Sequence, residues 1–413
     1  MFFCGIDWSD NGFIAVIVDP LGKVVKKFIV RNSADEFDKF IDKIRIVTSN
    51  VSDMLFAIET PNLAIVDYLM ENGYTVYPIN PKSVDRYRDR YRVSGAKDDF
   101  FDAFVLANII RTDMDHHQPL SNGSDLAREL KILTQDREKF VKTKTKMTNQ
   151  LRSCLKACYP EVCDLFDDLS SPSALTFLIT FPTWEDLKKK SQKQLIQFLK
   201  KRKITHPVLL KKIIEHTHTP PIPIDPVVKK AKVRQMLTLV KQLISLCRQI
   251  KEYDQEIKQL LDKHEDKDIF LSLPGAAENL ASRLLSQFGD DRSRFQSVSE
   301  LRPMAGTAPV TKQSGKYKYV IFRFSCRKPF RNALQLFSFS SLTKCKWAAL
   351  YYEKHREMGK THHHALRLLS DKWIKIIFAM WQNHHEYDEN KFLADKLKHM
   401  MDQPNNNPVL EYA

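Results

Sequence analysis

Lys97-Asp98-Asp99-Phe100-Phe101-Asp102-Ala103 is the stretch on which the reading of this chain turns. Asp99 and Asp102 stand three apart in a segment that reads as helix, and side chains at that spacing share a face. Two further carboxylates lie upstream. Asp7 closes the apolar run Phe2-Phe3-Cys4-Gly5-Ile6 and Glu59 closes Met54-Leu55-Phe56-Ala57-Ile58, both runs of strand length. Carboxylates gathered at two strand ends and one helix face repel one another unless cations neutralise them, and Mg²⁺ or Mn²⁺ is the hard, oxygen-seeking partner for such a set. Two such ions can activate an attacking oxygen and stabilise a leaving one, so the pattern points to metal-dependent phosphoryl transfer on nucleic acid. Plainer readings stand beside this one: an Asp after a strand serves as a turn former or helix cap, and acids three apart on a helix serve as a solvated face.

The rest of the composition bears on that choice. The 413 residues suffice for two or three domains, and 43% hydrophobic content suits packed cores. Lys and Arg outnumber Asp and Glu by 65 to 50, a net charge of +15. That balance favours a polyanionic partner over a small metabolite, without separating DNA, RNA and anionic membrane. No apolar run approaches the ~18–20 residues of a membrane span, and the N-terminus lacks a basic region followed by an apolar one, so a cytoplasmic protein is expected. The seven cysteines include no CxxC pair, which argues against a zinc ribbon or a disulfide framework. Cys154, Cys158 and Cys163 fit a helix and its following turn.

Along the chain, Phe2 to Asp7, Phe13 to Val18 and Val24 to Val30 form a meander with turns at Asn11-Gly12 and Pro20-Leu21-Gly22-Lys23. Helix and strand then alternate: Ser33 to Val47, Met54 to Glu59, a helix from Pro61, and Thr75 to Ile79. Three antiparallel strands followed by β-α-β units, with acids at strand ends and on a late helix, is the order of an RNase H-like α/β domain, expected over 1–120. Residues 121–265 read as a helical, coiled-coil arm of two long helices, about 125–159 and 227–264. Thr219-Pro220-Pro221-Ile222-Pro223-Ile224-Asp225-Pro226 makes a hinge between them, and the two helices could pair in cis or between protomers. A mainly α-helical C-terminal domain is expected over 266–400, with a flexible tail at 401–413.

Read together, these residues resemble the DEDD transposases of the insertion sequence one-ten family. The N-terminal half carries Gly5-Ile6-Asp7, Ile58-Glu59, Asn80-Pro81-Lys82 and Lys97 to Ala103. The C-terminal half carries Leu273-Pro274-Gly275, Phe288-Gly289-Asp290, Arg294-Phe295, Ala305-Gly306-Thr307-Ala308-Pro309, Gln313-Ser314-Gly315, Leu350-Tyr351-Tyr352, Gly359-Lys360 and Ala365-Leu366-Arg367. The resemblance implies a RuvC-like domain using Asp7, Glu59, Asp99 and Asp102, a coiled-coil connection, and a C-terminal domain whose Ser314 is the nucleophile. It also implies donor and target DNA and a noncoding bridge RNA. The chain departs from the family at Asp98, where Thr is usual, and in Phe324-Ser325-Cys326-Arg327-Lys328-Pro329-Phe330-Arg331, where the family tends to have a glycine-containing basic segment. If helical, Asp98 points about 100° away from Asp99.

The chemistry of the remaining candidates is consistent with this. A serine hydroxyl needs activation to attack a phosphate, and Ser314-Gly315 taken alone is a common surface turn. Lys312, Lys316 and Lys318 flank it and suit phosphate neutralisation, with Lys328 and Arg331 as further DNA contacts. Arg86-Tyr87-Arg88-Asp89-Arg90-Tyr91-Arg92 interleaves cations with aromatics, suiting phosphates and unpaired bases, or else makes a helix surface of arginines paired with acids. His362-His363-His364 and His384-His385 are expected at exposed helix and turn positions. The expectation is a transposase or recombinase dependent on Mg²⁺ or Mn²⁺, acting as a dimer or tetramer. The alternatives are a water-using nuclease of the Holliday-junction resolvase type and an inactive nucleic-acid-binding protein. A sugar-kinase or actin-like ATPase ranks low because, with only 11 glycines, the chain lacks the Gly-rich phosphate loops.

Overall fold

The computed structural model describes residues 1–61, 63–91, 98–120, 123–202, 204, 206–315 and 317–391. They form two compact units, divided between Asn122 and Gly123. Arg92, Lys97, Lys316 and the tail 401–413 lie outside the described residues.

The first unit contains β1 (Phe2–Ser9), β2 (Gly12–Val18), β3 (Val24–Arg31), α1 (Ala34–Val47), β4 (Met54–Ile58), α2 (Ala64–Glu71), β5 (Thr75–Pro78), α3 (Pro81–Tyr91) and α4 (Asp99–Asp113). The strands make one mixed sheet in the order β3-β2-β1-β4-β5. β1 pairs antiparallel with β2 and parallel with β4, while β3 and β5 extend the sheet antiparallel and parallel at its two edges. This is the mixed sheet with flanking helices expected of an RNase H-like domain.

Alternation along the strands divides the core in two. Cys4 and Ile6 of β1, with Phe56 and Ile58 of β4, pack with Phe37, Phe40, Ile41 and Ile44 of α1 and Ile65, Val66 and Leu69 of α2. Phe3 of β1, with Leu55 and Ala57 of β4, packs on the other side with Val105, Leu106, Ile109 and Ile110 of α4. Gly5 belongs to this second face. A Cβ there would lie 1.9 Å from the Ala103 carbonyl oxygen and 2.6 Å from the Ala107 backbone nitrogen. Only a residue without a side chain lets α4 settle onto β1 so closely.

In the second unit, α5 (Asp125–Cys158) leads into five shorter helices: α6 (Val162–Leu165), α7 (Pro172–Thr180), α8 (Trp184–Lys188), α9 (Gln192–Lys201) and α10 (Pro207–His218). The Pro-rich run follows, and α11 (Pro226–Lys263) begins at its last proline, with Asp225 accepting hydrogen bonds from the Val227 and Val228 amides. α11 packs on α5 within the same chain: Arg137 reaches Asp254 at 2.5 Å, and Phe140 meets Tyr253 edge-on at 5.2 Å between ring centres.

The two long helices run through two separate hydrophobic clusters. One joins Leu151, Leu155, Met236, Val240 and Leu243 to the short helices. The other joins Leu130, Ile257 and Leu261 to the elements that follow. These are α12 (Lys267–Leu271), α13 (Glu278–Phe288), α14 (Val298–Met304), the strands β6 (Val310–Ser314) and β7 (Tyr317–Ile321), then α15 (Lys328–Ser341), α16 (Lys346–Glu357) and α17 (His362–Gln382). Gly289, at φ +78°, ends α13 as its sequence suggests. No helix among the described residues is long and apolar enough to cross a membrane.

The Gly5 contact yields a direct expectation. Gly5→Ala must push backbone against backbone, so its cost is expected at or above the upper end of the ~1–3 kcal/mol typical of overpacked cores. Hydrogen–deuterium exchange should show β1 and α4 opening faster together; unchanged protection would mean that α4 shifts on the sheet without penalty.

Candidate active site and nucleic-acid interface

In the first unit the candidate carboxylates are arranged by the pleat. Asp7 is two residues beyond Gly5 and therefore lies on the α4 side of the sheet. The parallel register aligns Gly5 with Ala57 and Ile6 with Ile58, so Glu59, at the bend just past β4, follows on the same side next to Asp7. Both are partly buried. α4 lies over that face and contributes Asp102, which is 5% exposed, from the position before the Ala103 that touches Gly5. Asp99, one turn earlier on α4, is exposed.

Asp98 stands just before α4 and not within it, so the condition of a helical Asp98 is not met. Its backbone is extended and its carboxylate accepts a hydrogen bond from the Phe100 amide, capping α4. The plain cap reading applies to this acid.

The buried Asp102 carboxylate has a cationic partner from α3. Arg88 Nε donates to Asp102 Oδ1 at 2.8 Å, and its Nη1 reaches Asp85 at 3.2 Å. Within the interleaved Arg/Tyr segment, then, Arg88 points inward, while Arg86 and Arg90 are on the exposed side and Arg90 lies over the Tyr87 ring. Oxygen donors of the right type for a hard divalent cation thus share one side of the sheet. Among the described residues, however, no three His, Cys, Asp or Glu side chains converge to hold a metal ion.

The C-terminal candidates sit on a device that was not foreseen. Instead of a loop, Ser314 ends β6 of a two-stranded hairpin and pairs across it with Tyr317. Gly315, at φ +55°, takes the first position of the turn. Ser314, Lys312 and Lys318 are all exposed. The β-prone run Tyr317-Lys318-Tyr319-Val320-Ile321 after the Ser314-Gly315 turn is the signal for these strands, obscured by their lack of a buried face.

The base of the hairpin is firmly held. Arg331 and Arg367 lie over the Phe322 ring, 5.0 and 4.6 Å from its centre. Arg323 donates to the Ala308 carbonyl at 2.9 Å, and Arg331 to the Arg323 carbonyl at 3.3 Å. Gly306, at φ +70°, passes so close to Cys326 that a Cβ would meet its sulfur at 2.9 Å. Lys328 is exposed at the start of α15. Nearby, Arg302 makes a two-pronged pair with Asp371 at 2.7 and 3.0 Å. Burial pushes the Asp371 carboxyl up, but the Arg302 guanidinium prevails and holds it below its ordinary value.

Sequence reasoning also missed a group of mutually repelling cations, Lys131, Arg294 and Arg327. Burial, with the Arg327 and Arg294 guanidiniums, pushes Lys131 of α5 down to about 8. Burial and Arg294 likewise push Arg327 down to about 10. The sequence signal is an absence of acids: the 52 residues between Glu300 and Glu353 contain ten Lys and Arg and no Asp or Glu. The histidine runs are less exposed than expected, since His362 and His364 are partly buried and His362 Nδ1 lies 2.7 Å from the Tyr352 hydroxyl. His384 and His385 are exposed.

Arg88→Ala is expected to strand a buried carboxylate and weaken the first unit by ~1–3 kcal/mol. Adding Asp102→Asn should recover most of that loss, because the amide carries no charge. Exchange protection of α3 and α4 in the single and double variants tests this, and strictly additive losses would rule out the coupling.

Comparisons with known proteins bear on both units. A DEDD family model described as transposase matches residues 4–160. A second, described as transposase of the IS116/IS110/IS902 family, matches residues 267–353. The "Mini-circle putative transposase for IS117" of Streptomyces coelicolor is 32% identical over 406 residues, covering 96% of this chain and 97% of that protein. The "Insertion element IS116 uncharacterized 44.8 kDa protein" of Streptomyces clavuligerus is 26% identical, covering 91% and 93%. The "Insertion element IS900 uncharacterized 42 kDa protein" of Mycobacterium paratuberculosis is 27% identical, covering 78% and 80%. Transposases of the DEDD type commonly use a divalent metal. With a relative of this identity matched from end to end and family models on both halves, the chain belongs to the IS110/IS116/IS902 family of insertion-sequence transposases.

Proposed function

We propose that the chain cuts and rejoins DNA strands with Ser314 as the nucleophile, working as a homo-oligomer on donor and target DNA brought together by a noncoding bridge RNA. The observation that carries the serine is its exposed position at the tip of a basic hairpin, inside a 52-residue segment without a single acid. A polyanion approaching this hydroxyl meets no like charge nearby in the sequence. In the step proposed, Ser314 Oγ bonds to phosphorus as the bond from phosphorus to a DNA sugar oxygen breaks, and the proton lost by the serine is balanced by the one gained by that oxygen, which leaves as a hydroxyl. The resulting phosphodiester keeps its energy, so a second DNA hydroxyl can displace the serine without ATP.

Asp7, Glu59, Asp99 and Asp102 are proposed to hold Mg²⁺ or Mn²⁺, supported by the chemistry of their oxygens and by the shared sheet face of Asp7 and Glu59. A bound divalent ion supplies charge neutralisation at the reacting phosphate. Arg86, Arg90, Arg92, Lys312, Lys316, Lys318, Lys328 and Arg331 are proposed as nucleic-acid contacts. Arg88 belongs with them only if it is released from Asp102. We further propose the division into a RuvC-like catalytic part at 1–120, a coiled-coil arm at 121–265 and a serine-bearing part at 266–400.

Denaturing electrophoresis of protein expressed with its noncoding RNA and flanking DNA tests the central step. Wild type is expected to carry covalently attached DNA, and Ser314→Ala to carry none. Asp102→Asn is expected to abolish recombination while keeping RNA bound. Strand cleavage that is equal in wild type and Ser314→Ala, with no adduct in either, would transfer the reading to a water-using nuclease.

The depressed Lys131 gives a test of pH dependence. Its pKa is lower in the fold than in the unfolded chain, so its ammonium opposes folding in full below about pH 8, and the penalty fades as pH rises toward the ordinary lysine value. Lys131→Met should therefore raise the melting temperature at pH 7, raise it less above pH 9, and weaken nucleic-acid binding. A gain independent of pH would remove the charge from the explanation.

A further inference from the structure

The hairpin carries more than a serine. In its register Ser314 faces Tyr317 and Lys312 faces Tyr319. Directly paired residues share a side of a β-ribbon and alternate residues along a strand do too, so Lys312, Ser314, Tyr317 and Tyr319 lie on one side. Tyr317 is 81% and Tyr319 53% exposed. Leaving two aromatic rings in water forgoes the burial that usually justifies them. Their Cα atoms are separated by two strand residues, about 6.8 Å, which is twice the ~3.4 Å spacing of stacked bases. A flat ring can therefore enter between them. The anchored Phe322 and Arg323 hold the base of the hairpin that carries both rings.

We propose that Tyr317 and Tyr319 clamp an unpaired DNA base flanking the phosphate presented to Ser314. The occupant is nucleic acid because the whole segment is cationic and acid-free, and Lys312, on the same side as the two tyrosines, can hold the backbone beside the stacked base. A base held outside the duplex fixes the neighbouring phosphate relative to the serine, so the tyrosines are positioning residues. This rests on the serine reading above.

The test uses full-length protein with its noncoding RNA, in the Ser314→Ala background so that no chemistry intervenes. The probe is a DNA duplex with a short unpaired bubble carrying 2-aminopurine, whose fluorescence falls on stacking. The parent should quench the probe. Tyr317→Ala and Tyr319→Ala should each remove most of the quenching and weaken binding about tenfold, a loss in line with one stacked base, whereas the Phe variants should retain both. Circular dichroism checks that the variants remain folded. Quenching and affinity that survive the double Ala variant would overturn the proposal. A change of oligomeric state in that variant with quenching unchanged would also overturn it, assigning the face to a second copy of the chain. A covalent adduct persisting in Ser314→Ala defeats the serine reading alone, leaving the fluorescence result to judge the clamp.

Discussion

The first unit depends on the absence of a side chain at Gly5. With the Ala103 carbonyl oxygen 1.9 Å from where a Cβ would stand, α4 meets β1 by backbone contact at this point, beside the side-chain packing of the rest of that face. That contact sets the position of Asp102 relative to the strand that bears Asp7. It also leaves little tolerance, since a packed side chain can change rotamer whereas backbone atoms in contact must move with their whole element. The site's acids are consequently distributed over a rigid frame.

Within that frame, charge is balanced in different ways by the two units. The buried Asp102 is matched by a single Arg88, a pair whose members each leave the other stranded if removed. Around the hairpin the opposite holds. Lys131, Arg294 and Arg327 crowd together with little acid to offset them, and the protein bears that repulsion in its folded state. Arginine clusters that cost stability without a partner are what an anion-binding surface requires, because the anion then relieves a strain already present.

Much of the first unit was legible because its signals were local and redundant. The apolar strand-length runs of β1, β2 and β4, the turn residues between the first strands and the alternation of helix and strand that follows all point the same way, and a mixed sheet with acids at strand ends follows. The long helices were legible too, since Pro226 and Asp225 mark the start of α11 sharply. What sequence did not disclose were contacts set by tertiary placement. Arg88 looked equivalent to Arg86 and Arg90, and only the packing of α3 on α4 turns it toward Asp102. Whether Asp98 is helical stayed open until the chain direction before α4 made it a cap. The β6–β7 hairpin escaped notice because neither strand has the buried side that normally advertises one.

The unbroken length of α5 has a mechanical meaning. Its 34 residues extend about 51 Å, and with antiparallel α11 it enters one hydrophobic cluster at Leu130 and another at Leu155. Neither helix contains an internal proline or glycine at which to bend. The pair is therefore built as a lever: Leu130 and Leu155 are about 37 Å apart along α5, so a reorientation of about 5° at one cluster would carry the other through roughly 3 Å, about the length of a hydrogen bond.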